Sequence, residues 1–308
     1  MGTAMSGIAT IAYTQEALTG ASHKKVGPRF IPKILGNIAA AHIAITHNIQ
    51  GPSLTVSTAC ASGGDAVSAA ADCLRLGRAE VMLAVGAESV LCPLVVYSLA
   101  TAKALSRNNE DPSHASRPFD AMRDGFVIGE GGGALVLETE SHAVRRGATI
   151  YARLMGCGNG CDAYHITAPQ PEGVGAARCM ELALKDAGLK PEQIGYINAH
   201  GTATPKGDAA ETLAIKRVFG EHIPLVSSTK GATGHMMGAG GITELIACIQ
   251  AIRTGLLPPT INLEHPDPNC DLDYIPLQSR EKKVDYAMSN AFGFGGQNSS
   301  VIVGRWNS

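Results

Sequence analysis

Cys60 closes the run Ser57-Thr58-Ala59-Cys60 and leads directly into the small-residue stretch Ala61-Ser62-Gly63-Gly64-Asp65-Ala66-Val67. A buried strand over 53–57 and a helix over 61–75 would set its sulfur at a helix N-terminus, where free amides and the helix dipole favour thiolate. A sulfur there attacks carbonyl carbon, and the residue's own N–H can hold the resulting oxyanion. Two histidines occupy comparable strand-to-helix junctions. His200 ends Tyr196-Ile197-Asn198-Ala199 and is followed by Gly201-Thr202-Ala203-Thr204, while His235 ends Lys230-Gly231-Ala232-Thr233-Gly234. A histidine taken singly is more often structural. The carboxyl ends of parallel strands are nonetheless where such sheets place ligand groups. One thiol with two imidazoles suits thioester chemistry in which enolate charge is met by neutral N–H donors.

Further groups flank these three. Lys230 and Glu244 are opposite charges in apolar, glycine-rich surroundings and read as an internal ion pair that tunes His235. Asp208 and Glu211, at D-x-x-E spacing, read as a capping arrangement opening a helix. Phe292-Gly293-Phe294-Gly295-Gly296 puts two rings between glycines, as a core plug, a gate or a second oxyanion amide. Gly129-Glu130-Gly131-Gly132-Gly133 lies in a strand pair rather than opening a helix, so nucleotide use has no support.

The elements that must hold these residues alternate. Strands are expected at 80–85, 150–155, 195–199 and 225–228, and helices at 139–146, 174–187, 208–219 and 242–253. Residues 125–138 read as paired strands around a glycine-rich bend, and 288–303 as a closing hairpin. In the helix over 174–187, Ala177, Met180, Leu184 and Ala187 share one face, with Glu181 and Lys185 outside. Strand alternating with helix predicts an α/β fold with a mostly parallel sheet in two similar halves, 1–147 and 148–308.

With 45% hydrophobic and 17% charged residues over 308 positions, the chain can bury a large core, which excludes a disordered or fibrous protein. The net charge of -2 excludes a global basic field for nucleic acid or anionic membrane. Eight cysteines without disulfide or zinc spacing indicate a reducing compartment, hence the cytoplasm. The N-terminus lacks a basic n-region and reads as a strand and turn rather than a secretory signal. The longest nearly uncharged run, 81–102, holds Glu88 and is broken by Gly86 and Pro93, which argues against a membrane span.

Taken together, Ser57–Ser62, Asn198–Thr204, Lys230–His235 and Asn290–Gly296 resemble the motifs of the β-ketoacyl-acyl carrier protein synthases, closest to the elongating type II branch, in the family's order. The resemblance implies a thiolase-like fold with mixed sheets packed in layers, and a homodimeric acyltransferase that extends fatty acyl chains by decarboxylative condensation. Cys60 would carry the acyl group as a thioester, His200 and His235 would assist decarboxylation and stabilise the enolate, and Lys230 and Glu244 would be supporting charges. The amides of Cys60 and Phe294 would form the oxyanion hole. Thr202 and Thr204 would contact the malonyl-pantetheine arm; Phe292 and Phe294 would face the substrate, Phe294 also as the gating ring; Met5 and Leu99 would line the acyl pocket. Lys103 would belong to the patch meeting the acidic acyl carrier protein, which brings the phosphopantetheine; no tightly bound cofactor is implied. A monovalent cation would sit at Asn198, Ala199, Glu244, Ser289 and Asn290. Two departures from the family pattern stand out. The further N-terminal segment that supplies the opening strand of the first half is expected to be missing, and Gln297 replaces a common threonine. The same motifs also fit a polyketide ketosynthase, or a catalytically impaired ketosynthase-like partner subunit.

Overall fold

Glycine and alanine set the packing of the first half in the computed structural model, which describes residues 1–20 and 26–307. Residues 1–3 run extended between two segments. On one side the Gly2 N–H donates to the Val85 carbonyl (2.7 Å) and the Ala87 N–H to that of Gly2 (3.2 Å). On the other, Thr3 N–H donates to the Val56 carbonyl (3.2 Å) and Val56 N–H to that of Met1 (2.8 Å). A Cβ on Gly2 would lie 2.2 Å from the Ser62 carbonyl oxygen, so a side chain is excluded where this segment crosses the next helix. The expected N-terminal strand and turn end at Gly7; α1 (Ile8–Thr19) follows, then α2 (Phe30–Ile34) and α3 (Ile38–His47), none with a buried residue.

The strand expected at 53–57 is only partly formed. Val56 makes the single bridge and Leu54 is exposed, because just the three-residue N-terminal segment flanks it. Next come α4 (Ser62–Arg75), β1 (Val81–Glu88), α5 (Pro93–Thr101), β2 (Gly131–Glu138) and α6 (Glu140–Arg145). β2 pairs antiparallel with β1 along its whole length, from Val81↔Glu138 to Glu88↔Gly131. This corrects the hairpin expected over 125–138: residues before β2 bridge elsewhere, Phe126 to Leu105 and Ile128 to His235. Gly129 explains the route, since a Cβ there would sit 2.4 Å from the Thr233 carbonyl oxygen.

The second half contains β3 (Arg153–Cys161), α7 (Val174–Ala187), β4 (Tyr196–Asn198), α8 (Pro205–Phe219), β5 (Leu225–Ser227), α9 (Lys230–Thr233), α10 (Gly240–Thr254), the short β6 (Leu256–Leu257) and β7 (Arg280–Glu281), and the closing pair β8 (Tyr286–Gly293) and β9 (Gln297–Gly304). The main sheet has the order β3-β9-β8-β4-β5, with β4 parallel to both β5 and β8 and the rest antiparallel. The fold is thus α/β with mixed sheets, although the halves differ, the first holding a two-stranded sheet and the second a five-stranded one. α7 buries Ala177, Met180 and Leu184 as its spacing predicts. Gly156 and Gly158 let it lie against β3, since Cβ atoms there would come within 2.5 and 2.1 Å of helix carbonyl oxygens. α10 runs through the middle. Its Ile242, Leu245, Cys248 and Ile252 share one core with Val67 of α4, Ala84 of β1 and Val301 of β9. Each fully buried isoleucine or leucine there contributes about 1.5–3 kcal/mol, so α10 fastens the two halves together.

Candidate active site

The corner carrying Cys60 is made by Ser62. Its hydroxyl accepts the Thr58 N–H (2.9 Å) and donates to the Ala59 carbonyl (2.7 Å). Ala59 is held at φ +50, a left-handed conformation costing an alanine about 1 kcal/mol or more. The chain therefore turns sharply into α4, and the Cys60 sulfur lies 3.0 Å from His235 Nε2. Burial pushes the thiol up to about 11, although the Lys230 charge and the Phe294 N–H pull the other way. Burial also holds His235 well below the ordinary imidazole range, with Lys230 adding to it. Burial thus works against the thiolate expected from the helix terminus, lost hydration opposing the amides and dipole.

The Phe294 N–H acts on the thiol from a segment that Gly293 lets pack against the Cys60 corner. A Cβ on Gly293 would lie 2.8 Å from the Thr58 carbonyl oxygen and 3.1 Å from the Cys60 nitrogen.

His235 leaves α9 through Gly234 (φ +67) and is pinned by its main chain. Its N–H donates to the Val127 carbonyl (2.8 Å), and its own carbonyl accepts the Gly129 N–H (2.9 Å). Phe126 meets the ring edge-on, with centroids 5.2 Å apart. The His200 ring stands 5.3 Å from that of His235, at 86° to it, and 5.8 Å from Phe292. Burial, then Lys230 and His235, lower His200 in the same way. Lys230 and Glu244, 1% and 3% exposed, are ion-paired inside the protein. Burial raises the Glu244 carboxyl while Lys230 opposes it. A Cβ on Gly240 would sit 3.6 Å from Glu244 Oε1 and 3.9 Å from His235 Nδ1, which brings the pair close beneath the ring.

Asp208 and Glu211 do not cap a helix. α8 begins earlier, at Pro205, and both carboxylates point into the protein. Glu211 accepts the N–H groups of His200 (2.9 Å) and Gly201 (2.8 Å) and so holds the His200 turn; burial lifts it to about 7. Asp208 accepts the Phe119 N–H (2.8 Å) and faces Arg123 (3.3 Å). D-x-x-E spacing is common to caps and to inward-facing pairs one turn apart, and only the earlier helix start separates them.

A cavity of about 860 Å³ joins these groups. Met5, Leu99, Phe126 and Met237 line it beside Cys60; Thr202, Thr204, Phe292, Phe294 and exposed Lys103 line it too. The Thr202 and Thr204 hydroxyls are 3.1 Å apart. Sequence reasoning missed Phe126, Glu211 and Glu88. For Glu88 a signal existed, a carboxylate within a nearly uncharged run.

The residues named for a monovalent cation include buried oxygens without a protein partner: Asn198 Oδ1, Glu244 Oε2 and Ser289 Oγ. Asn198 and Ser289 are register neighbours on β4 and β8. An all-oxygen set with one carboxylate fits a hard monovalent ion. The Asn290 side chain is engaged elsewhere, accepting from Ser300 (2.8 Å) and donating to Glu211 (3.3 Å). Gln297 Oε1, three residues after Phe294, is also buried without a partner.

Residues 1–143 match the family model "Beta-ketoacyl synthase, N-terminal domain", and residues 151–264 match "Beta-ketoacyl synthase, C-terminal domain". Among curated proteins the chain is similar to 3-oxoacyl-[acyl-carrier-protein] synthase 2 of Synechocystis sp., 49% identical over 308 residues, covering 99% of this chain and 74% of the relative. It is 45% identical over 307 residues to the protein of the same name from Coxiella burnetii, again covering 99% and 74%. Among solved structures, a β-ketoacyl synthase from Burkholderia phymatum superposes with TM-score 0.93 at 38% identity, covering 99% of this chain and 74% of that one. A type II polyketide ketosynthase solved with its acyl-carrier protein and a bound hexaketide gives TM-score 0.95 at 37% identity, covering 99% and 77%.

Proposed function

Because this chain belongs to the β-ketoacyl synthase family, we propose that it is a 3-oxoacyl-[acyl-carrier-protein] synthase that lengthens fatty acyl chains, with Cys60, His200 and His235 as its catalytic residues. The observation that carries the assignment of residues is the 3.0 Å approach of His235 Nε2 to the Cys60 sulfur, with the His200 ring 5.3 Å away in the same cavity.

In the first step the sulfur attacks the carbonyl of an acyl chain brought on the pantetheine arm of the carrier protein, and its proton passes to His235 Nε2. The amides of Cys60 and Phe294 hold the oxyanion; it collapses to acyl-Cys60, and the pantetheine sulfur leaves with the proton. The malonyl thioester then enters past Thr202 and Thr204. The neutral His200 ring donates N–H to its thioester oxygen as carbon dioxide departs, with His235 packed edge-on against it, and the enolate carbon attacks acyl-Cys60. The C–S bond to Cys60 breaks, the sulfur takes up a proton from solvent, and a 3-oxoacyl thioester two carbons longer leaves on the carrier. The low basicity of both rings keeps them neutral for this work. Lys230 and Glu244 are positioning residues beneath the rings, Met5 and Leu99 bound the acyl chain, and Lys103 meets the acidic carrier protein. A monovalent cation, when bound by Asn198, Ser289 and Glu244 side chains with main-chain oxygens of Ala199 and Asn290, offsets carboxylate charge beneath the site.

The higher identity to the two acyl-carrier-protein synthases, 49% and 45%, than to the polyketide ketosynthase, 37%, supports the fatty acid reading. Residues 1–147 and 148–308 are taken as the two halves. A homodimer is supported by exposed apolar side chains on α1, α3 and α5, among them Ile11, Ile45 and Tyr97. A cytoplasmic setting is supported by eight free cysteines.

The test is mass spectrometry of wild type and Cys60→Ala after exposure to acyl-carrier protein, with malonyl decarboxylation measured alongside. Acylation confined to wild type, and condensation reduced about a thousandfold or more in Cys60→Ala, His200→Ala and His235→Ala, is expected. Folded wild type that is neither acylated nor decarboxylating would make the chain a binding subunit instead.

A further inference from the structure

Glu88 ends β1 buried, and no lysine, arginine or histidine pairs with it among the described residues. Its two oxygens instead collect four donors from two distant segments. Oε1 accepts the Thr3 hydroxyl (3.1 Å) and the Met5 N–H (3.2 Å); Oε2 accepts the Ala4 N–H (2.6 Å) and the Gly238 N–H (3.1 Å). Three of these donors are main-chain amides, so the contacts fix backbone rather than side chains. The packing is close: a Cβ on Gly238 would lie 2.7 Å from both Glu88 Oε2 and the Ala4 nitrogen.

The two segments serve different parts of the cavity. Ala4 and Met5 line it on the apolar side, where Met5 and Ile8 pack against Cys60, Val95 and Phe126. Gly238 follows Met237, which lines the same cavity at φ +46, and lies three residues after His235. A carboxylate bonded at once to both can transmit displacement of one to the other, because a buried acceptor cannot exchange a lost amide for water without leaving that amide unsatisfied. We propose that Glu88 is a positioning residue that couples the acyl-pocket wall at Met5 to the His235 loop, so that the length of chain held beside Met5 alters the rate at which the histidines decarboxylate malonyl thioester. This rests on the enzyme reading given above.

The experiment uses the full chain, with folding followed by circular dichroism. Two quantities are read: the ratio of Cys60 acylation rates with tetradecanoyl- and hexanoyl-carrier protein, and the malonyl decarboxylation rate with each chain on Cys60. In Glu88→Gln the amide nitrogen must face N–H donors, and both quantities are expected to move by about tenfold, the cost of leaving one or two buried amides unpaired. Thr3→Val is the gentler arm. It deletes one hydroxyl donor and leaves the carboxylate and its amides in place, and a shift of about threefold in both quantities is expected. Movement of only one quantity, or of neither, in folded Thr3→Val overturns the coupling even where Glu88→Gln fails to fold. Wild type that is never acylated refutes the enzyme reading; an acylated, condensing wild type with unmoved variants refutes only the role of Glu88.

Discussion

Replacing Lys230 by methionine removes the cation of a pair whose side chains are only 2% and 4% exposed, so almost no water stands ready to solvate the Glu244 carboxylate left behind. Breaking a buried pair from one side costs about 3–5 kcal/mol, whereas replacing both partners by apolar groups is often close to neutral. At about 2.1 cal/mol/K of unfolding entropy per residue over 308 residues, that loss corresponds to roughly 5–8 °C in Tm. Lys230→Met is therefore expected to melt that much lower, and Lys230→Met/Glu244→Leu to recover most of the difference. Activity should separate from stability. Lys230 is the leading charge holding both imidazoles below their ordinary range. Without it the acid limb of the decarboxylation rate should move to higher pH in the single and double variants alike. The assays are calorimetry and a pH–rate profile from 5 to 8. A single variant that melts with wild type, or a double variant with an unmoved acid limb, refutes this account of the pair.

Stability should carry the signature of the two neutral rings. Their values are depressed in the fold, so near pH 7 and above neither state is protonated; below about 6.5 the unfolded chain binds protons that the native rings refuse, and stability falls by up to about 2.7 kcal/mol per pH unit. Glu211, lifted to about 7, acts in the opposite sense, protonating natively first as pH falls, so the histidine contribution is read as the difference between wild type and His200→Gln/His235→Gln. Denaturant midpoints whose difference does not change between pH 5.5 and 8 would contradict it. Gly293→Ala, which drives a methyl to 2.8 Å from the Thr58 carbonyl oxygen, should lower Cys60 acylation about a hundredfold by displacing the Phe294 amide, while malonyl binding measured by titration changes little; acylation at the wild-type rate would remove Phe294 from the oxyanion hole.

Much of this could be read from the letters. α7 follows its spacing over Val174–Ala187, and β8 and β9 form the expected hairpin around a glycine-rich turn. Cys60, His200 and His235 line one cavity, and each lies at a junction between a strand or turn and a helix. What escaped was decided by neighbours far away in the chain. Gly125–Ile128 could not be placed without the His235 loop that it bridges, and the inward turn of Glu211 could not be foreseen without the His200 amides that it accepts. Burial, which works against the thiolate expectation, escaped for a related reason. A helix terminus is visible in sequence, whereas the depth at which it is buried is a property of the assembled fold.

Sulfur and imidazoles come from opposite halves of the chain, joined chiefly by the apolar length of α10. Reactivity is therefore a property of the seam and of neither piece. Parting the halves by a few ångströms would separate the Cys60 sulfur from the His235 ring, so on the proposed function a loosened molecule falls silent.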